Sequence, residues 1–319
     1  MNSFNKDIKL AIIMPCYNEA ELIENSINKI LAYLKTLNNL SKDSFIMIVD
    51  DGSTDATWSI IEYLSNHNDF VDGIKLSRNR GHQRALLAGM EEVRNECDCL
   101  ISIDADLQQD EQAIEKFIDK FSDGCEIVLG VRNDRKADNF FKKSSALGFY
   151  RFMSLMGVQI TRNHADYRLL SNRANNALLE FKEVNLFLRG LVGLVGFRTE
   201  YVYFDVKNRD VGESKYTLRK MITLAIDGIT SFSVTPLRLI LLIGSLIFLF
   251  SSIMSLYILI VSFLSNDVVP GWASTVLPIY FIGGIQILSI GILGEYIGRT
   301  YQETKRRPRY FVDKRTKGD

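Results

Sequence analysis

Over residues 9–132 the chain alternates short, near-continuous apolar runs with longer segments whose apolar residues recur at helical spacing. The runs are KLAIIMP (9–15), FIMIVDD (45–51), GIKLS (73–77), CLISID (99–104) and EIVLGVR (126–132). Between them lie ELIENSINKILAYLKTL (21–37), DATWSIIEYLSN (55–66), HQRALLAGMEEVR (82–94) and EQAIEKFIDKF (111–121). Strands that are apolar throughout must be covered on both faces, and their alternation with helices predicts an α/β fold built on a mostly parallel sheet. Ligands of such sheets bind beyond the carboxyl ends of the strands. Chemistry is therefore expected at 15–19, 50–55, 104–108 and Arg132.

The pattern then loosens. Residues 142–156 read as an amphipathic helix, HADYRLLS (164–171) as a further strand, NLFLRGLVGLVGF (185–197) as a helix and TEYVYFDVKNR (199–209) as an edge strand. SKYTLRKMITLAIDGITSFSVTP (214–236) mixes basic and apolar residues at helical spacing, the pattern of a helix lying on a membrane surface. Between Arg238 and Asp267 there are 28 positions without charge, and between Asp267 and Glu295 another 27. Each stretch exceeds the roughly 20 residues needed to cross a bilayer, so two transmembrane helices in a hairpin are expected, at about 237–264 and 273–297. The basic KYTLRK segment and the basic tail after Arg299 would put both ends of the hairpin, and with them both termini, on the cytoplasmic side. The tail cations could also hold anionic lipid, but a topology signal is the preferred reading. The expected domains are 1–212, the α/β unit; 213–235, amphipathic and juxtamembrane; 236–299, the hairpin; and 300–319, a basic tail. The small residues of GGIQILSIGILG suit close helix packing.

Composition narrows the class. Lys plus Arg and Asp plus Glu both number 38, which argues against a nucleic-acid binder. Four scattered cysteines form no CxxC pair, the pattern of reduced thiols rather than of zinc or disulfides. The N-terminus lacks the long apolar core of a secretory signal.

Three stretches carry candidate chemistry. In SIDADLQQD, Asp104 and Asp106 are two apart, so an extended chain turns both to one face, and Gln108 continues the line. Such oxygen ligands suit Mg2+ or Mn2+, completed by water and substrate phosphates. Asp110 instead suits the start of the next helix. In VDDGSTD, Gly52 permits a tight turn. Ser53, Thr54 or Asp55 can cap the following helix, and Asp51 remains as an acceptor for a ribose hydroxyl or a base N–H. In MPCYNEAE, Pro15, Tyr17, Asn18 and Glu19 sit where the first strand meets the first helix. The histidines His67, His82 and His164 form no metal pattern.

Together, MPCYNE, VDDGSTD, RNRGHQRALLAG and DADLQ resemble the family 2 glycosyltransferases of the GT-A, Rossmann-like fold. DYRLLS, NLFLRG, RDVGESKY, TSFSVTPLR and the ending GGIQILSIGILGEYIGRTYQETKRRPRY resemble the bacterial polyprenyl-phosphate glycosyltransferases, bactoprenol glucosyltransferases of O-antigen modification most of all. The resemblance implies that Pro15, Tyr17, Glu19 and Asp51 hold uridine, and that Gly81 and Gln83 close over the base. It implies that Asp104, Asp106 and Gln108 bind the metal and diphosphate. Arg209, Ser214 and Lys215 match a loop that folds over the diphosphate, and Arg132, with Arg135 or Lys143, the region that receives the lipid phosphate. Arg189 is read as a second anchor for that phosphate. Asp166 either contacts the sugar or acceptor or pairs with Arg168 to hold its loop. The implied reaction is inverting transfer of a hexose, glucose first, from a UDP-sugar to undecaprenyl phosphate, with a modified aminopentose as alternative cargo. A catalytically inactive nucleotide-sugar scaffold is the rival outside this class. Membrane lipid, a tetramer of this chain, a flippase and a downstream integral-membrane glycosyltransferase are the implied partners.

Overall fold

The computed structural model describes residues 7–133, 164–183, 188–205, 235–264 and 272–317. Within them one compact unit contains the whole sheet together with the tail from Arg306, and a second contains two long helices.

The first unit is an eight-stranded sheet. Its strands are β1 (Leu10–Cys16), β2 (Phe45–Asp50), β3 (Val71–Leu76), β4 (Cys99–Ser102), β5 (Ile127–Arg132), β6 (His164–Ser171), β7 (Thr199–Phe204) and β8 (Val312–Arg315). They lie in the order β7-β5-β6-β4-β1-β2-β3-β8. β1, β2, β3 and β4 are parallel, as the unbroken apolar runs require. Every residue of β1 and β2 is buried. Helix α1 (Ile23–Leu34) turns Ile23, Ile27, Ile30 and Leu31 inward, one stripe at helical spacing. Helices α2 (Thr57–His67), α3 (His82–Glu92), α4 (Ala113–Ser122) and α5 (Asn172–Leu179) complete the layers, and α6 (Leu188–Leu194) follows.

Two strands run against the rest. β6 enters between β4 and β5 and is antiparallel to both. Tyr167 on it packs edge-on to Phe117 and Phe204, at 4.7 and 5.3 Å between ring centroids. The other is β8, from the basic tail, which adds to the free edge of β3. Arg315 forms a double hydrogen bond with Glu92, Lys317 lies 2.8 Å from Asp72, and Tyr310 bonds Glu91. These tail cations are thus spent on the sheet edge, a use that the reading of the tail as a topology signal did not foresee.

The second unit holds α7 (Thr235–Leu264) and α8 (Trp272–Thr304), close to the stretches expected to be helical. Among the described residues, however, no helix is long and apolar enough to cross a membrane. This overturns the expected multi-pass location, and the transmembrane hairpin does not carry over. The expectation rested on the two charge-free stretches alone, and absence of charge does not by itself make a span. The helices do leave Leu242, Leu246, Phe250, Ile287 and Ile290 exposed. The amphipathic helix expected at 142–156, and that expected at 214–236 up to residue 234, lie outside the described residues.

Candidate functional site

The carboxyl ends of β1, β2 and β4 lie side by side, and their loops are tied together. Asn18, at φ 53°, donates its N–H to Ser53 Oγ (2.9 Å) and accepts from the Thr54 N–H at Oδ1 (2.9 Å). Glu19 N–H donates to Thr57 Oγ1 (3.0 Å). Desolvation would raise the Asp55 carboxyl, but it accepts from the N–H and hydroxyl of Thr57 and from the Ala20 N–H, which together hold it below the ordinary range. It thereby serves the start of α2, where Ala56 offers no side-chain cap. Tyr17 stands out into solvent at 42 % exposure beside this laced pair of loops.

Asp51 has a more specific task. Its Oδ1 accepts the Arg80 N–H at 2.7 Å and its Oδ2 the Gly81 N–H at 2.8 Å. Burial raises its pKa, and these two amides oppose the rise. The carboxylate thus fixes the loop that leads into α3. Gly52, at φ 71°, lets that loop approach: a Cβ there would stand 2.6 Å from the carbonyl carbon of Arg78. Asp50, fully buried, accepts from the Ser53 N–H and lies 3.8 Å from Lys75 Nζ.

Beyond β4 the chain turns, with Leu107 at φ 45°. Ile103, Ala105, Leu107 and Gln109 point inward, while Asp104, Asp106 and Gln108 lie on the more open side. The row expected from an extended strand therefore survives a turn. Asp104 N–H donates to Gln109 Oε1 (2.8 Å), and Gln109 Nε2 donates to Asp104 Oδ2 (2.5 Å). Asp106 Oδ1 accepts from the Gln108 N–H at 3.2 Å. Burial raises the Asp104 pKa; the Asp166 and Asp106 carboxylates add to the rise, and His82 opposes it.

His82 joins this site to a second one. Its Nε2 lies 3.5 Å from Asp104 Oδ1 and 3.7 Å from Asp166 Oδ2. Asp166 in turn bonds the fully buried Arg168, and it accepts from Arg189 Nε at 3.1 Å and from a terminal nitrogen at 2.9 Å. Burial alone would raise Asp166, but the two guanidinium groups outweigh it and hold the carboxyl well below the usual range. Gln83 Oε1 accepts the Leu188 N–H at 3.1 Å, so α3 and α6 meet over the cluster.

Comparisons with known proteins show the family of the chain. Residues 11–179 match the family model described as glycosyl transferase family 2. The chain belongs to that family. This glycosyltransferase is 46 % identical to the uncharacterized glycosyltransferase YkoT of Bacillus subtilis, over 95 % of this chain and 91 % of that protein. It is 35 % identical to the bactoprenol glucosyl transferase of Shigella phage SfX, over 97 % of this chain and 100 % of that protein. Among solved structures, mannosyl-3-phosphoglycerate synthase from Rubrobacter xylanophilus is similar with a TM-score of 0.48, at 14 % identity over 75 % of each chain.

In this family 2 enzyme the motif residues 15, 17, 19, 51, 81, 83, 104, 106 and 108 gather at one edge of the sheet, as expected from the strand ends. Arg132 ends β5, and its Nε is buried without a hydrogen-bond partner among the described residues. Arg189, read as an anchor for lipid phosphate, is held by Asp166 instead of standing alone. Of the two readings of Asp166, the contact with Arg168 is formed. Arg135, Lys143, Arg209, Ser214 and Lys215 lie outside the described residues. Sequence reasoning passed over His82 and Gln109. Their only signals were adjacency, to Gly81 in one case and to the Asp104 motif in the other. All four cysteines are free and buried, and burial pushes the Cys97 thiol up to about 12.

Proposed function

We propose that this glycosyltransferase moves a hexose, glucose first, from a UDP-sugar to a polyprenyl phosphate such as undecaprenyl phosphate, with inversion at the anomeric carbon. The observation that carries the reading is the near full-length similarity to proteins named bactoprenol glucosyl transferase, at 34–35 % identity. The site geometry supports it. Asp51 and the loop it braces lie where the nucleoside would sit, with Tyr17 beside them, and Asp104 and Asp106 would face the diphosphate.

A divalent cation, Mg2+ or Mn2+, fits the donor set. Among the described residues no three His, Cys, Asp or Glu side chains form a metal cage. The chain would therefore supply Asp104 and Asp106, with Gln108 beside them, and leave the other positions to phosphate and water. Bound there, the cation would supply neutralisation of the charge that develops on the leaving diphosphate. The rest falls to the protein. A phosphate oxygen of the lipid forms the new bond to the anomeric carbon, and the bond to the diphosphate breaks with its electron pair on UDP. The acceptor is a phosphate monoester with a second pKa of about 6, mostly a dianion at neutral pH, and no proton has to be removed. Asp166, committed to Arg168 and Arg189, suits a reaction without a general base. In the same proposal Arg132, with Arg135 or Lys143, receives the lipid phosphate, and Arg209, Ser214 and Lys215 fold over the diphosphate. A homo-oligomer and a downstream transferase that consumes the product complete it.

The test is incubation of the purified chain with labelled UDP-glucose, UDP-galactose and other nucleotide sugars, undecaprenyl phosphate and Mn2+, with and without EDTA. Labelled lipid formed only without EDTA is the expected result. No labelled lipid from any donor would refute the function, and undiminished labelling in EDTA would refute the metal.

A further inference from the structure

Gln109 stands out because it is 1 % exposed, polar, and turned toward the candidate diphosphate carboxylate. It lies directly after the row of residues whose side chains face the open side, so its role is not that of a ligand. Instead its side-chain amide grips Asp104 at two points. The amide oxygen accepts the Asp104 backbone N–H, and the amide nitrogen donates to Asp104 Oδ2. The two bonds close a ring across the turn that contains Leu107 in its left-handed conformation.

This grip has a directional consequence. Oδ2 is occupied by Gln109, while Oδ1 faces His82 across 3.5 Å. The carboxylate is therefore not free to rotate and exchange its oxygens. We propose that Gln109 is a positioning residue of the transfer reaction. It holds Asp104 in the one orientation that presents Oδ1 to the nucleotide diphosphate and its cation. The inference rests on the reading of Asp104 as the diphosphate-side carboxylate and extends it by naming what orients that group. Outer partners of this kind typically change affinity or activity by about 10- to 100-fold when removed. Asp104 also faces the like charges of Asp106 and Asp166.

Chemistry supplies a near-isosteric probe. Gln109→Glu keeps an oxygen for the Asp104 N–H but sets a carboxylate against Oδ2 in place of a donor. Gln109→Met keeps the length and removes both bonds. Three quantities would be measured for the full chain and both variants: the Kd of UDP in the presence of Mn2+ by titration calorimetry, the Kd of uridine under the same conditions, and the thermal midpoint as a check of folding. The expected result is UDP binding weakened about tenfold or more in both variants, with uridine binding within about twofold of native. Uridine lacks the diphosphate, so a general collapse of the site would move both ligands and overturn the inference. Native UDP binding by folded Gln109→Glu would also overturn it, because the bond to Oδ2 would then be dispensable. Asp104→Ala, measured in parallel, separates the two layers. If it loses UDP binding while the Gln109 variants do not, the positioning role fails alone. If it too binds UDP as the native chain does, the underlying assignment of Asp104 fails.

Discussion

Replacing Asp166 by alanine should be among the most damaging single changes in the sheet-bearing unit. Arg168 is fully buried on β6, between β4 and β5. Among the described residues its Nε and one terminal nitrogen have no hydrogen-bond partner, and its other terminal nitrogen bonds Asp166. Removing the carboxylate would leave a buried cation without compensation, which costs about 3–5 kcal/mol. The second partner, Arg189, is 31 % exposed at its side chain and adds at most about 1 kcal/mol. A buried ion pair as such is weak ground for stability, however, because an apolar pair of similar volume is often as good. Asp166→Ala combined with Arg168→Met should therefore recover about 2 kcal/mol or more of the loss. Urea unfolding can measure this through the buried Trp58 in a Trp272→Phe background, with equal m-values required for comparison. A single-variant loss below about 1 kcal/mol, or a double variant no better than the single, would refute the counter-ion role.

Three further outcomes follow from the same contacts. The stabilisation from Asp166 is present above the ordinary carboxylate value of 3.8 and is lost only as pH falls through its lower folded value, so Asp166→Asn should lack part of the acid limb of a stability–pH curve; an unchanged limb would contradict the assignment. Asp51→Ala should speed hydrogen exchange at the Arg80 and Gly81 amides about tenfold or more, since each loses its carboxylate acceptor; unchanged exchange would show that something else holds the loop. Deleting residues 310–319 should remove protection from the Gly73 and Ser77 amides, which donate to Thr316 and Phe311, and retained protection would mean that β8 is not formed in solution.

The first five strands were legible because each is an apolar run too short for a helix and closed by polar residues. β6 was legible as a strand but not as an antiparallel insertion, since periodicity carries no direction. β8 left no such signal. VDKR is mostly exposed and charged, and its partners Ile74, Lys75, Leu76 and Glu92 lie more than two hundred residues earlier in the chain. The long charge-free stretches were read as helices, as the structure has them, but the described residues do not bear out the membrane spans also read there. At the site, Asp51, Asp104 and Asp106 could be found from their place after buried strands. Gln109 and His82 could not. One acts through a turn that needs Leu107 in the left-handed region, the other through the approach of α3 to one carboxylate beyond β4 and one on β6. The bond between Arg189 and Asp166 likewise depends on where α6 is set down, which no local pattern records.

The central claim is that the carboxylates beyond β4 carry glycosyl transfer to a lipid phosphate. It is tested most directly by the rate at which labelled glucose passes from UDP-glucose to undecaprenyl phosphate in the native chain and in Asp104→Ala, at equal protein and Mn2+. The account predicts labelled lipid from the native chain and a rate about 100-fold lower or less in the variant. Equal rates in the two proteins would contradict it.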